Sequence, residues 1–349
     1  MPRRPTLVDI AKKAGVSVMT VSYALRNQPQ TAAATREHVM KVARELGYVP
    51  DPEISRMMNY LRANKGVRYQ STLALLNSHP TRAAFHYPFM DRLVRGANDR
   101  AKELGYSLEE FWISEPGITP SRMKRILHAR GIRGLLVPPL PDGRTTLDID
   151  WGAFASIAMT STLETPNMTR IAANTFSDKT RLLEYLHGLG YRRMAMVTNP
   201  DQERREHSGS TSAFHWYHRE VLQQDQYIPP LHLVAPDRSL LTWLRREKPD
   251  VLIGPDERLL KFLREQEWAI PGKLGYAAFA GTVPGVTGID PQPERIGAAA
   301  IDSLTAQIQR NELGIPQNPK VILIEGELVE GSTTRLIRSS KLRGRSRTV

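Results

Sequence analysis

The chain has 349 residues, 40% hydrophobic and 24% charged, with no cysteine; this gives core enough for two to three domains and excludes a disordered chain, disulfide scaffolds, thiol catalysis, iron–sulfur clusters and Cys-ligated zinc. No run approaches the roughly 18 apolar residues of a membrane span, and MPRRPTLVDIAKKAG lacks the apolar stretch of a secretory signal, so a cytoplasmic protein with no membrane partner is expected. The net charge of +12 is segregated: residues 1–69 hold 12 Lys/Arg against 5 Asp/Glu, residues 335–349 hold 6 Lys/Arg and no acid, and the 265 residues between carry −1, the footprint of a polyanion-binding module on a neutral body.

Thr6-Leu7-Val8-Asp9 is a capping box that opens a helix burying Leu7, Ile10, Ala11 and Ala14, and Gly15 stops it. Ser17 caps a second helix, Val18 to Leu25, with Val21, Ala24 and Leu25 inward. A third, near Thr35 to Leu46, carries Val39, Val42, Ala43 and Leu46 on one face and ends at Gly47. The two-residue Gly15-Val16 connection forces a sharp angle between the first two, which is a helix-turn-helix arrangement with the second helix available to a major groove.

The string TLVDIAKKAGVSVMTVSYALRN…TREHVMKVARELGYVPDP resembles the DNA-binding head of the lactose-repressor (LacI/GalR) family of bacterial transcription regulators. The resemblance places base reading on Val18, Met19 and Tyr23, and phosphate contact or local capping on Ser17, Thr20 and Ser22. Tyr23 stands where many members have arginine, and a phenol cannot make arginine's bidentate pair with guanine. Asp51-Pro52 then opens a helix with Ile54, Met57, Met58 and Leu61 on one face. By the same resemblance this is a hinge helix that orders on DNA, pairs with its dimer mate and wedges Met57 into the minor groove, with Met58 the alternative if the register slips by one; core packing of the stripe is the competing reading. The linker from Asn59 to Tyr69 is several residues longer than is usual in the family.

After residue 70 short apolar runs alternate with amphipathic helices: STLALLN, 89–104, SLEEFWI, 121–130, GLLVPPL and ASIAMTS, then TRIAAN, 179–189, MAMVTN, 212–223, LHLVA, 240–247, DVLIGP, 259–267, LGYAAFA and 294–310. This is α/β patterning with parallel sheets in two similar halves. The resemblance implies a periplasmic-binding-protein-like sensor whose two parallel-sheet subdomains close on an effector, one lobe being about 71–168 plus 288–318 and the other about 169–287 plus 319–334. The expected organisation is an all-α head (1–50), a hinge and linker (51–70), the sensor and dimerisation domain (71–334) and a disordered basic tail (335–349).

Ligands bind outside the carboxyl ends of parallel strands, which selects Asn77, Asn174, Asp256 and Asp290 as candidate effector contacts, although strand-end Asn and Asp are also ordinary loop formers. Against the family's sugar-binding pattern the set is incomplete: Pro255 replaces an Asn, Pro291 occupies a frequent glutamine position, Ala278-Phe279-Ala280 lacks an aspartate, and the usual arginine near Ser208-Gly209-Ser210 does not align, Arg204, Arg205 and His207 being only nearby. A different ligand, a relaxed site and no ligand all remain open. No GxGxxG, P-loop, HExxH or GxSxG motif occurs, and His215-x-x-His218 reads as aromatic packing beside Trp216 and Tyr217, without a third ligand for zinc. The expectation is therefore no enzyme, no cofactor and no metal, but a homodimeric repressor on a near-palindromic DNA operator, controlled by a carbohydrate-like effector. The rival readings are a regulator with a vestigial sensor and a solute-binding protein.

Overall fold

The computed structural model describes residues 5–25, 31–48, 71–141, 145–222, 226–279 and 283–337. The head comprises α1 (Leu7–Ala14), α2 (Val18–Leu25) and α3 (Ala33–Glu45). Thr6 and Asp9 form the capping box, Asp9 accepting from the Thr6 amide at 2.7 Å, and Gly15 takes the left-handed φ of 67° that ends α1. Ile10, Val21 and Val39, one from each helix, are fully buried at the centre of the small core.

The body holds two six-stranded sheets. Its elements run β1 (Ser71–Asn77), α4 (Arg82–Phe85), α5 (Pro88–Glu103), β2 (Tyr106–Trp112), α6 (Pro120–Ala129), β3 (Gly134–Val137), β4 (Ala155–Met159), β5 (Arg170–Ala173), α7 (Thr175–Gly188), β6 (Met194–Thr198), α8 (Pro200–Arg205), α9 (Gly209–Glu220), β7 (Leu231–His232), α10 (Arg238–Glu247), β8 (Val251–Gly254), α11 (Glu257–Glu265), β9 (Gly275–Ala278), β10 (Thr287–Asp290), α12 (Pro293–Arg310), β11 (Val321–Ile324) and β12 (Glu327–Val329). The first sheet has the order β11-β5-β4-β3-β1-β2, all parallel; the second is β12-β10-β9-β8-β6-β7, parallel except for β12. Strands such as β3 and β8 are buried along their whole length because helices cover both faces, which is why they read as unbroken apolar runs and not as alternating ones.

In the first lobe α5 and α12 cover one face over Leu73, Leu75 and Ile157, and α6 covers the other through Met123 and Leu127. Each fully buried Leu or Ile contributes about 1.5–3 kcal/mol. The α5–α12 crossing is close because Gly96 and Gly297 leave room: a Cβ on Gly297 would stand 2.1 Å from the Leu93 carbonyl oxygen, and one on Gly96 2.1 Å from that of Glu294.

The chain passes between lobes three times, as expected, but at other places. β5 pairs with β4 and β11 in the first sheet, and β10 pairs with β9 and β12 in the second. The first lobe therefore extends to Ala173 and runs again from α12 to Ile324, which corrects the expected divisions near 168, 287 and 318. The physical reason is strand pairing: each of these strands completes a ladder before the chain can leave its sheet. The crossings fall at Asn174, at Pro291-Gln292 and at Glu325-Gly326, and hydrogen bonds tie them together, Asn174 Nδ2 donating to Glu325 Oε1 at 2.6 Å and the Gly326 amide to buried Asp178 at 2.9 Å.

Candidate functional site

The sequence-selected residues come together on the head, whereas of the four effector candidates only Asn77 stands at the inter-lobe cluster. On the head, Ser17 accepts from the Thr20 amide at 3.1 Å and the two hydroxyls lie 2.9 Å apart, so both serve the start of α2. Behind this cap Val21 and Ala24 point inward, Ser22 and Tyr23 are half-buried, and Val18 and Met19 stand 42% and 64% exposed. An exposed valine–methionine pair at the first turn of a short helix is an apolar surface of the kind that can meet a thymine methyl. Met57 and Met58 lie outside the described residues, as does most of the basic tail.

The second place lies between the lobes, at the carboxyl ends of β1 and β2 and facing α8. Asn77 is fully buried and accepts from the His79 amide at 2.9 Å through Oδ1, with the His79 ring Nδ1 3.2 Å from the same oxygen. Phe85 on α4 meets His79 edge-on at 5.3 Å and Trp112 at 6.0 Å, and the Arg82 guanidinium lies 5.3 Å from the Trp112 ring centre. Arg205, at the end of α8 in the second lobe, acts on His79 and Tyr87 of the first. Burial and then the Arg205 charge lower the His79 pKa from its ordinary value. Burial likewise lowers the Arg205 pKa, with Tyr87 opposing.

The other candidates are structurally engaged. Asp256 caps α11, accepting from the Arg258 amide at 2.9 Å, and pairs with the Arg258 side chain at 2.8 Å. Asp290 takes Arg92 in a two-pronged pair at 3.1 and 2.8 Å, while Arg92 Nε donates to Glu294 at 2.7 Å. Burial raises the Glu294 carboxyl, but hydrogen bonds from Arg92, its own amide and Arg95 outweigh it and bring the pKa down to about 2. Asn174 and Asp290 thus stand at the lobe crossings, Asn77 beside the aromatic cluster and Asp256 at a helix start in the second lobe. A further buried cation, Lys179, donates to the Phe279 carbonyl at 3.0 Å; burial depresses its pKa while Glu206, Asp178 and Glu203 oppose. A hollow of about 590 Å³ in the first lobe is lined by Pro120, Lys124, Asp148 and Asp150 and by none of these groups, and its Lys124 and Asp150 pair with each other. Among the described residues no group of three or more His, Asp or Glu could hold a metal, and no helix is long and apolar enough to cross a membrane.

The model for bacterial regulatory proteins of the lacI family matches residues 6–51, and that for the periplasmic binding protein-like domain matches 183–334, together more than half of the chain. The head thus matches the lacI family, and the second lobe matches the periplasmic binding protein-like domain. The chain is 31% identical over 135 residues to the HTH-type transcriptional regulator CelR of Thermobifida fusca, covering 39% of the chain and 37% of that protein. It is 27% identical over 201 residues to the lactose operon repressor of Escherichia coli K12, covering 56% and 51%. The matches thus span between about a third and a half of these relatives' lengths. Among solved structures, the CelR–cellobiose complex aligns with 95% of the chain and all of that chain at a TM-score of 0.55 and 20% identity. The lac repressor dimer bound to operator and the anti-inducer ONPF covers the same shares at 0.54 and 17%. These likenesses establish the fold: a helix-turn-helix head and two parallel-sheet lobes.

Sequence reasoning selected the α2 surface and Asn77 but missed Phe85, Tyr87 and Trp112, and noted Arg205 only as a neighbour. The run of aromatics after β1, Phe85-His86-Tyr87, was the available signal; that Arg205 faces it depends on lobe closure, which has no trace in local sequence.

Proposed function

We propose that this chain is a sequence-specific DNA-binding transcriptional repressor, a homodimer on a near-palindromic operator, whose affinity is set by a small molecule held between the lobes. The observation that carries the reading is the exposed Val18–Met19 face on a capped helix whose other side is locked into the head core. Ser17, Thr20 and Ser22 serve phosphates or the cap, Val18, Met19 and Tyr23 read bases, and Met57 wedges the minor groove. The division into head (1–50), hinge and linker (51–70), sensor (71–334) and basic tail (335–349) belongs to the same proposal, as do action in the cytoplasm, where the DNA is, and the absence of catalysis. Support comes from the matched relatives, which are transcriptional regulators, and from the neighbours solved with operator DNA or cellobiose. Asn77 is the candidate contact best placed for the effector; Asn174, Asp256 and Asp290 would reach it only by exchanging present partners. Selection from a random DNA library tests the reading: a two-fold symmetric site is expected, with binding weakened by Met19→Ala and Met57→Ala. Recovery of no consensus, with binding that follows salt alone, overturns it.

A further inference from the structure

Asn77 and Trp112 are register partners on the adjacent parallel strands β1 and β2, so their side chains leave the same face of the sheet about 5 Å apart. The His79 amide donates to Asn77 Oδ1 and thereby settles which way the carboxamide faces, with Nδ2 turned away from that turn. Asn77 Nδ2 is buried without an acceptor, and so is Trp112 Nε1. An unmade buried donor costs more than a typical hydrogen bond gains, so two at adjacent strand ends mark the place of an acceptor supplied from outside the chain.

The surroundings narrow its chemistry. Phe85 and the Arg82 guanidinium enclose the Trp112 ring, and Arg205 approaches from the opposite lobe. The carboxylates at the lobe crossings and in the second lobe are engaged by this chain's own groups: Asp256 by Arg258, Asp290 by Arg92, Glu325 by Asn174 and Ser177, and Glu203 by the Thr211 amide. A neutral polyol brings hydroxyl protons that need acceptors in the site, whereas an anionic oxygen group brings only acceptors. We propose that the inter-lobe site takes a small polar molecule bearing an anionic oxygen group, with Asn77 Nδ2 and Trp112 Nε1 donating to its oxygens and Arg205 supplying opposite charge from the second lobe. This rests on the reading of the cleft as an effector site.

Titration calorimetry on the full chain with D-gluconate, D-glucuronate, D-glucose 6-phosphate and neutral D-glucose tests it. Saturable binding of at least one anion is expected, with glucose at least tenfold weaker; carboxylate and phosphate arms then separate the two sources of the group. Trp112→Phe keeps the ring and removes only the N–H, and should weaken the anion about tenfold or more while leaving the unliganded melting temperature unchanged. Asn77→Asp keeps Oδ1 for His79 and replaces the donor with a like charge, so it should abolish anion binding even if Trp112→Phe fails to fold. Glucose bound as tightly as its acids, or anion binding indifferent to both variants, overturns the proposal and leaves the effector reading standing. No heat with any of the four probes overturns both.

Discussion

The head and the body carry their polar and apolar chemistry in opposite ways. Among its described residues the head buries eight side chains in one cluster and presents Val18 and Met19 to solvent. Among the described residues the body has four clusters of 14 to 16 buried residues each and keeps Asn77, His79, Asp178 and Lys179 inside. A duplex is a large, stiff surface that can be read only from outside, so its reader is preformed and open; a small molecule must be surrounded to be recognised, so its reader is assembled from two lobes. The contrast extends to robustness, since a core of eight residues has little to spare.

That contrast can be broken most severely at the head core. Ile10→Ala removes a fully buried side chain and should cost about 2–5 kcal/mol, enough to unfold the head and abolish operator binding while the calorimetric transition of the body stays in place. A single shifted transition for the whole chain would mean that the two regions are one cooperative unit. In the body the corresponding test is Gly297→Ala, whose Cβ would meet the Leu93 carbonyl oxygen at 2.1 Å and the Ala97 amide at 2.7 Å. Backbone cannot yield as a side chain can, so a loss of about 3 kcal/mol is expected, seen as a lowered melting temperature of the body with non-specific DNA binding retained.

Tyr23→Arg sharpens the comparison on the DNA side. It should shift one position of the selected half-site toward guanine by roughly 1–3 kcal/mol without changing half-site spacing; an unchanged sequence logo would place Tyr23 against phosphate. The smallest effect concerns the lobe crossing. Glu294 has a folded pKa of about 2 against an ordinary 4.5, so its contribution is complete above the ordinary value and fades as pH falls through about 2. With the carboxylate a third exposed, the amount is about 1–2 kcal/mol after solvent screening. Urea unfolding at pH 6 and pH 3 should show the larger part of this loss in the native chain and less of it in Glu294→Gln.

Much of this was legible in the primary structure. The Thr6–Asp9 capping box, the Gly15 stop, the Ser17 cap and the inward set Ile10, Val21 and Val39 all depend on residues within a few positions of one another, and they stand in the structure where local rules put them. Strands β1 to β9 were read from their apolar runs. β10, β11 and β12 were not: Thr287–Asp290 and Glu327–Val329 are short, and Val321–Ile324 takes its place only by pairing with β5, some 150 residues away in the chain.

The sequence by itself determined the helix-turn-helix, the alternation of strands and helices, and the concentration of positive charge at the ends, because caps, periodicity and composition act over distances shorter than one element. Only the tertiary structure decided where the chain crosses between lobes, that Asp290 and Asn174 are tied to Arg92 and Glu325, that Asn77 and Trp112 are register partners, and that Arg205 of the second lobe acts on His79 of the first. Those outcomes depend on which distant strands share a ladder and on two lobes meeting, and such pairings are selected by the whole core at once and not by any one segment.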